Sequence, residues 1–234
     1  MDAATTLQIT SPQFWVAAFE IILVNIVLSG DNAVVIALAC RNLPLRQRKW
    51  GIFWGAAGAI VLRIILTIFA LSLLQLPWLK IVGGVLLFWI GIKLIAEEDG
   101  GDGDVKASNR LLAAVKTVIV ADLVMSLDNV IGVAAAAKGS VVLLVFGLVV
   151  SIPIVIVGSQ VIMKLIEKLP ILVIAGGGLL GFIAGEMIVE DAVIVAWVKA
   201  NAGWLLWAAP VACTALVVAA GMWLKRHGAK AEAP

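Results

Sequence analysis

The sequence predicts an all-α polytopic membrane protein: seven transmembrane helices, arranged as a 3+3 inverted-topology repeat with a seventh helix added. Three observations predict it. The 234 residues are 63% hydrophobic with a mean hydropathy of +1.12, well above the roughly half-apolar make-up of soluble domains. The apolar residues gather into stretches near the ~20 residues a helix needs to cross a bilayer. The first three stretches also resemble the next three.

In order, the stretches run at 15–40, 49–74, 77–96, 111–137, 140–163, 170–190 and 203–224. Each is too uniformly apolar for the amphipathic helix of a soluble domain. Pro77, Pro170 and the pair Gly139–Ser140 fall at turns between them. The first stretch has neither a basic leader nor a small-residue cleavage site, so it is expected to be a retained helix. The chain then divides as one membrane domain over 1–234. Repeat A covers 12–96, an acidic linker 97–109, repeat B 110–191, the seventh helix 203–224 and a tail 225–234. Little sequence remains for a soluble catalytic domain. With no nucleophile–base pair, phosphate loop or HExxH motif, no enzymatic activity is expected.

Lys and Arg accumulate on the cytoplasmic side of membrane proteins. Here Arg41, Arg46, Arg48 and Lys49 sit at the first connection, Lys106 and Arg110 at the third, Lys164 and Lys168 at the fifth, and Lys225, Arg226 and Lys230 in the tail. The alternate connections hold only Lys80, Lys138 and Lys199. The expected orientation is therefore N-terminus outside and C-terminus in the cytoplasm. A net charge of +2 gives no reason to expect a nucleic-acid partner. The linker acids Glu97, Glu98, Asp99, Asp102 and Asp104 lack the spacing of a calcium loop and read as a solvated connection. Cys40 and Cys213 are far apart and form no zinc pattern with the lone His227, so both are expected to be small buried residues.

The repeat is visible in two places. LPWLKIVGGVLLFWIGIKLIAEED at 76–99 aligns with LPILVIAGGGLLGFIAGEMIVEDA at 169–192, and nearly half of the aligned positions are identical. SGDNAVVIALA at 29–39 aligns with SLDNVIGVAAA at 126–136. Three helices is an odd number, so the second copy enters the membrane from the opposite side. Transporters use such inverted halves to alternate access around a midplane site.

An ionised carboxylate in the bilayer is costly unless it is paired, solvated or metal-bound. Glu20, Asp31, Asp122, Asp128 and Glu186 all fall within the expected spans. The motifs Asp31–Asn32 and Asp128–Asn129 are equivalent in the repeat and are expected to meet near the pseudo-two-fold axis. Poor helix formers at these places invite a local break that would free backbone carbonyls. Two carboxylates, two amide oxygens and such carbonyls would make a hard, oxygen-rich metal site. Asn25 and Asp122 are also equivalent and are expected to line the same cavity. Glu20, three turns before Asp31 on nearly the same face, is either an outer station or an interfacial residue. Glu186 aligns with Lys93, which leaves open a proton-coupling role or a salt bridge to Arg63. Arg63 reads as a structural counter-ion. The tryptophans lie mostly near span ends, as interfacial anchors and not a ligand cage.

The two motifs SGDNAVVIALA and SLDN within a seven-helix chain resemble the TerC family, and the LP–GG repeat and acidic linker resemble its YjbE-like branch. The resemblance covers roughly 12–225. It implies that Asp31, Asn32, Asp128 and Asn129 are signature positions. The family is named for tellurium resistance, and several members are implicated in manganese export. The expectation that follows is an exporter of divalent metal, Mn2+ first, in a bacterial inner membrane. Mn2+ would be the transported substrate, with no tightly bound cofactor. The partners are the metal ion and the lipid bilayer, and homo-oligomerisation stays open. Export of Ca2+ or an organic amine, or a non-transporting scaffold for tellurite resistance, are the alternatives.

Overall fold

The computed structural model describes residues 30–69, 76–97, 107–136 and 141–231, with single positions at 15, 16, 18, 19 and 22. Among the described residues all regular structure is helical. The elements are α1 (Gly30–Cys40), α2 (Leu45–Ile68), α3 (Leu79–Ala96), α4 (Ala107–Ala136), α5 (Val141–Lys168), α6 (Ile171–Val189), α7 (Val195–Asn201) and α8 (Leu205–Ala231). Among the described residues five helical segments are long and apolar enough to cross a membrane: Leu45–Thr67, Leu79–Ala96, Val145–Lys168, Ile171–Val189 and Leu205–His227. The apolar α1 is shorter. The chain is thus a multi-pass helical membrane protein.

Several helices run past their expected limits. α2 begins at Leu45, α4 at Ala107, α5 reaches Lys168 and α8 reaches Ala231, because polar residues of good helix propensity extend a helix into water as readily as apolar ones. The short α7 falls in a connection where no helix is expected. The apolar pattern marks only the buried part of a span and is silent about such ends. α4 also runs unbroken through Asp128–Asn129, so no break occurs at the second motif. Tertiary packing outweighs the modest propensity penalty there. α5 and α8 continue through Pro153 and Pro210.

The helices pack as two groups. α3, α6 and α8 form one, through their glycines. A Cβ on Gly84 would lie 2.8 Å from the Ala184 carbonyl, and one on Gly177 would lie 3.2 Å from that of Gly91. Those two contacts are related by the sequence offset that aligns Leu76–Pro77 with Leu169–Pro170. Leu87 and Leu180, equivalent by the same offset, are both fully buried. The backbone of α6 also touches α8, where a Cβ on Gly185 would sit 2.5 Å from Pro210 Cα. The second group is α1, α2, α4 and α5, in which α2 packs on α4 and α1 on α5. The largest apolar cluster joins the groups through Ile36, Leu38, Val118, Met125, Leu87, Leu180 and Met187.

Contacts at the helix ends show which ends share a side. Arg41, just after α1, donates to the Glu97 carbonyl at the end of α3 at 2.5 Å. Arg48 near the start of α2 pairs with Glu167 near the end of α5. On the other side, Asp191 just after α6 accepts the Lys80 and Ile81 N–H groups at the start of α3. All nine tryptophans are exposed at the protein surface, including Trp89 within α3. Cys40 is buried and Cys213 half-buried, both as free thiols.

Candidate functional site

The ionic centre lies between α1, α2 and α4, and each helix supplies its residue from an inward face. On α2, Ala56, Ile60, Arg63 and Thr67 recur at helical spacing and are buried. On α4, Val118, Asp122 and Ser126 do the same. On α1 the buried face carries Asn32 and Ile36. The apolar neighbours are what make the polar ones buried: the same stripe that drives packing carries the charges inward.

Arg63 is 2% exposed, Asp122 5% and Ser126 0%. A terminal nitrogen of Arg63 donates to Asp122 Oδ1 at 2.5 Å, and its Nε donates to Ser126 Oγ at 2.9 Å. Ser126 Oγ in turn donates to Asp122 Oδ2 at 3.0 Å. The three groups close a ring in which both carboxylate oxygens are engaged. Thr67 Oγ1 donates to the Arg63 carbonyl at 2.7 Å. This charge-assisted ring satisfies groups that would otherwise be costly to bury.

Asn32 stands beside the ring. Its side chain is 4% exposed, and its Oδ1 is buried without a hydrogen-bond partner. Its backbone N–H donates to Asp31 Oδ1 at 2.8 Å. Two cavities of about 10 Å³ meet here. One is bounded by Asn32, Val35, Ala59, Val118 and Asp122, and the other by Asn32, Ala56, Arg63, Asp122 and Val155. Each has room for about one water-sized species. Asp31 is half-buried and lies within electrostatic range of Arg63 and Asp122. A larger cavity, about 650 Å³, is an apolar groove between α2 and α4 lined by residues such as Trp54, Gly58, Val61 and Val115. No ionisable side chain lines it, so it offers a cation nothing.

The structure therefore brings Asp31, Asn32 and Asp122 together with Arg63. Among the described residues Arg63 pairs with Asp122, where the sequence left open a salt bridge to Glu186. Glu186 is exposed on the outer face of α6, a helix packed chiefly against α3 and α8. Asp128 and Asn129 lie on α4 within one turn of Ser126 and within two of Asp122, but their side chains are outside the described residues, as are Asn25 and Glu20. Among the described residues no group of three or more His, Cys, Asp or Glu side chains gathers for a metal. Two participants escaped sequence reasoning. Ser126 was visible only as the repeat equivalent of Ser29. Asp191, 1% exposed, accepts the N–H groups of Trp78, Lys80, Ile81 and Val193. Its place directly after Glu190, in the stretch aligned with Glu97–Glu98, was the available signal.

Comparison with known proteins agrees with this architecture. The model of the integral membrane protein TerC family matches residues 10–229. The chain is 44% identical to the uncharacterized membrane protein YjbE of Bacillus subtilis, over 76% of this chain and 81% of that protein. It is 30% identical to YceF of the same organism, over 76% of this chain and 73% of the relative. A shorter match, 35% identical over 33% of this chain and 23% of the relative, is to the tellurium resistance protein TerC of an Alcaligenes species. No solved structure matches the chain.

Proposed function

This chain belongs to the TerC family of integral membrane proteins, and from that premise we propose that it is a secondary transporter exporting a divalent metal, Mn2+ first, by alternating access. The observation that carries the reading is Asn32 Oδ1. An amide oxygen held out of water without a partner costs about 1–3 kcal/mol. Here Asn32 borders a cavity shared with the Asp122 carboxylate, and its backbone N–H donates to Asp31, inside an apolar bundle. A hard cation passing through would take all three as oxygen ligands and offset that cost. Intramembrane acids of this kind usually serve transport.

The packing supports an inverted pair of halves. α2 on α4 and α5 on α1 are exchanged by the repeat, and the Gly84–Ala184 and Gly177–Gly91 contacts repeat across the crossing of α3 and α6. In this reading the first apolar stretch, 15–40, is the first of seven spans. Asp128 and Asn129 supply the second half of the ligand set, and Asn25 and Glu20 line the way to it. Glu186, away from the ring, serves as a proton-exchanging or interfacial group. The Lys and Arg distribution supports an N-terminus outside and a C-terminus in the cytoplasm. A relative named as an inner membrane protein, YgdQ of Escherichia coli at 27% identity, supports the same membrane for this chain.

Everted membrane vesicles test the reading, because export becomes uptake. Vesicles with the wild-type chain are expected to accumulate Mn2+, and those with Asp31→Ala/Asp128→Ala are expected not to. Equal accumulation by both rejects metal export. The Arg63–Asp122–Ser126 ring favours one other reading: a non-transporting membrane scaffold in which buried ions bind α2 to α4. Under it neither protein accumulates metal.

A further inference from the structure

We propose that Arg63 is the site's own stand-in cation: its guanidinium occupies Asp122 while the site is empty and leaves Asp122 for a divalent cation to be coordinated. The inference deepens the transport reading and rests on it.

The geometry argues for a handover. Asp122 has both oxygens engaged, one by Arg63 and one by Ser126, so its charge is already matched by a cation while Arg63 stays. Asn32, whose Oδ1 is already free, borders the same cavity as Arg63 and Asp122. One oxygen donor is thus waiting and another is covered. Among the described residues Arg63 is attached at separate points, with the terminal nitrogen on Asp122 and Nε on Ser126. The second can hold the side chain while the first swings away.

Charge supplies the driving force and a selectivity. Asp31, Asp122 and Arg63 interact electrostatically at the centre. A metal seated on Asp122 beside an unmoved guanidinium would meet strong repulsion in a medium of low dielectric constant. A divalent ion that displaces the guanidinium puts two positive charges where one stood, and so also satisfies Asp31. A monovalent ion merely exchanges one charge for another and gains nothing over the tethered arginine. Arg63 then discriminates against monovalent cations by being one already.

The test uses the full-length protein in detergent for MnCl2 titration calorimetry, and in proteoliposomes for Mn2+ flux. Arg63→Gln is expected to bind Mn2+ roughly tenfold tighter, carry it more slowly and admit competition by Na+. Asp122→Asn, which leaves the arginine charge facing the site, is expected to bind roughly tenfold weaker, and Arg63→Gln/Asp122→Asn to recover part of that loss. If Arg63→Gln and Asp122→Asn each weaken binding and the double variant is no better than either, the pair is only a clamp and the proposal falls. If Arg63→Gln does not fold, the comparison of Asp122→Asn with the double variant decides: tighter binding by the double variant upholds the handover and equal binding overturns it. A wild-type protein that carries Mn2+ alongside an Arg63→Gln protein that behaves identically sinks the handover alone. A wild-type protein that neither binds nor carries Mn2+ sinks the transport reading and the handover with it.

Discussion

Asp191 caps a helix that begins more than a hundred residues before it: its carboxylate accepts the backbone N–H of Lys80 at 3.1 Å. It also takes the N–H groups of Ile81 at 3.2 Å and Trp78 at 3.3 Å. The first N–H groups of a helix have no intrahelical acceptor, and no side chain of the preceding turn caps α3. Trp78 adopts a left-handed conformation with φ 68°, which is unfavourable for a bulky residue. The carboxylate from the end of α6 both completes the helix start and holds this turn.

Replacing Asp191 should therefore loosen one end of the α3–α6 pair. Asp191→Ala leaves several buried N–H groups without an acceptor and is expected to cost about 1–3 kcal/mol. Asp191→Asn keeps one acceptor oxygen and should cost less. Thermal unfolding in detergent reads both. The idea is wrong if the alanine variant melts with the wild type.

Glycine substitutions should separate close helix contact from open space. A Cβ at Gly185 would meet Pro210 Cα at 2.5 Å and the Ala209 carbonyl at 2.7 Å, both backbone. Gly185→Ala must push α6 from α8 and is expected to lower folded yield sharply. At Gly158 the nearest atom to a new Cβ is 3.7 Å away, on Ala33. Gly158→Ala there should be neutral or stabilising by up to ~1 kcal/mol from helix propensity. Fluorescence-detected size exclusion and melting curves compare the two. Equal tolerance at both positions would contradict the packing.

Orientation gives a third prediction. A C-terminal green fluorescent protein fused after Pro234 should fluoresce, and alkaline phosphatase at the same place should be inactive, as for a cytoplasmic end. The reverse pattern would place the Lys- and Arg-rich connections outside and oppose the charge bias along the chain.

The membrane nature of the chain and the rough positions of its helices were legible without coordinates. The reason is that a bilayer imposes a length and an apolarity that any spanning helix must show locally. The likeness of the two LP–GG stretches was legible for a related reason: Gly84 and Gly177 hold matching places in them, and a backbone carbonyl of the facing helix passes over each. Asp31, Asn32 and Asp122 stood out because acids and amides are rare in apolar stretches. What could not be read was who pairs with whom. Arg63 read as a counter-ion with Glu186 as its one named partner, and only the packing of α2 against α4 revealed its bonds to Asp122 and Ser126. Asp191 likewise looked like one more acid in a connection until α6 brought it to the start of α3. Composition and periodicity are properties of neighbours along the chain. Ion pairing and capping in trans are set by which helix faces meet, so they became visible only in the tertiary structure.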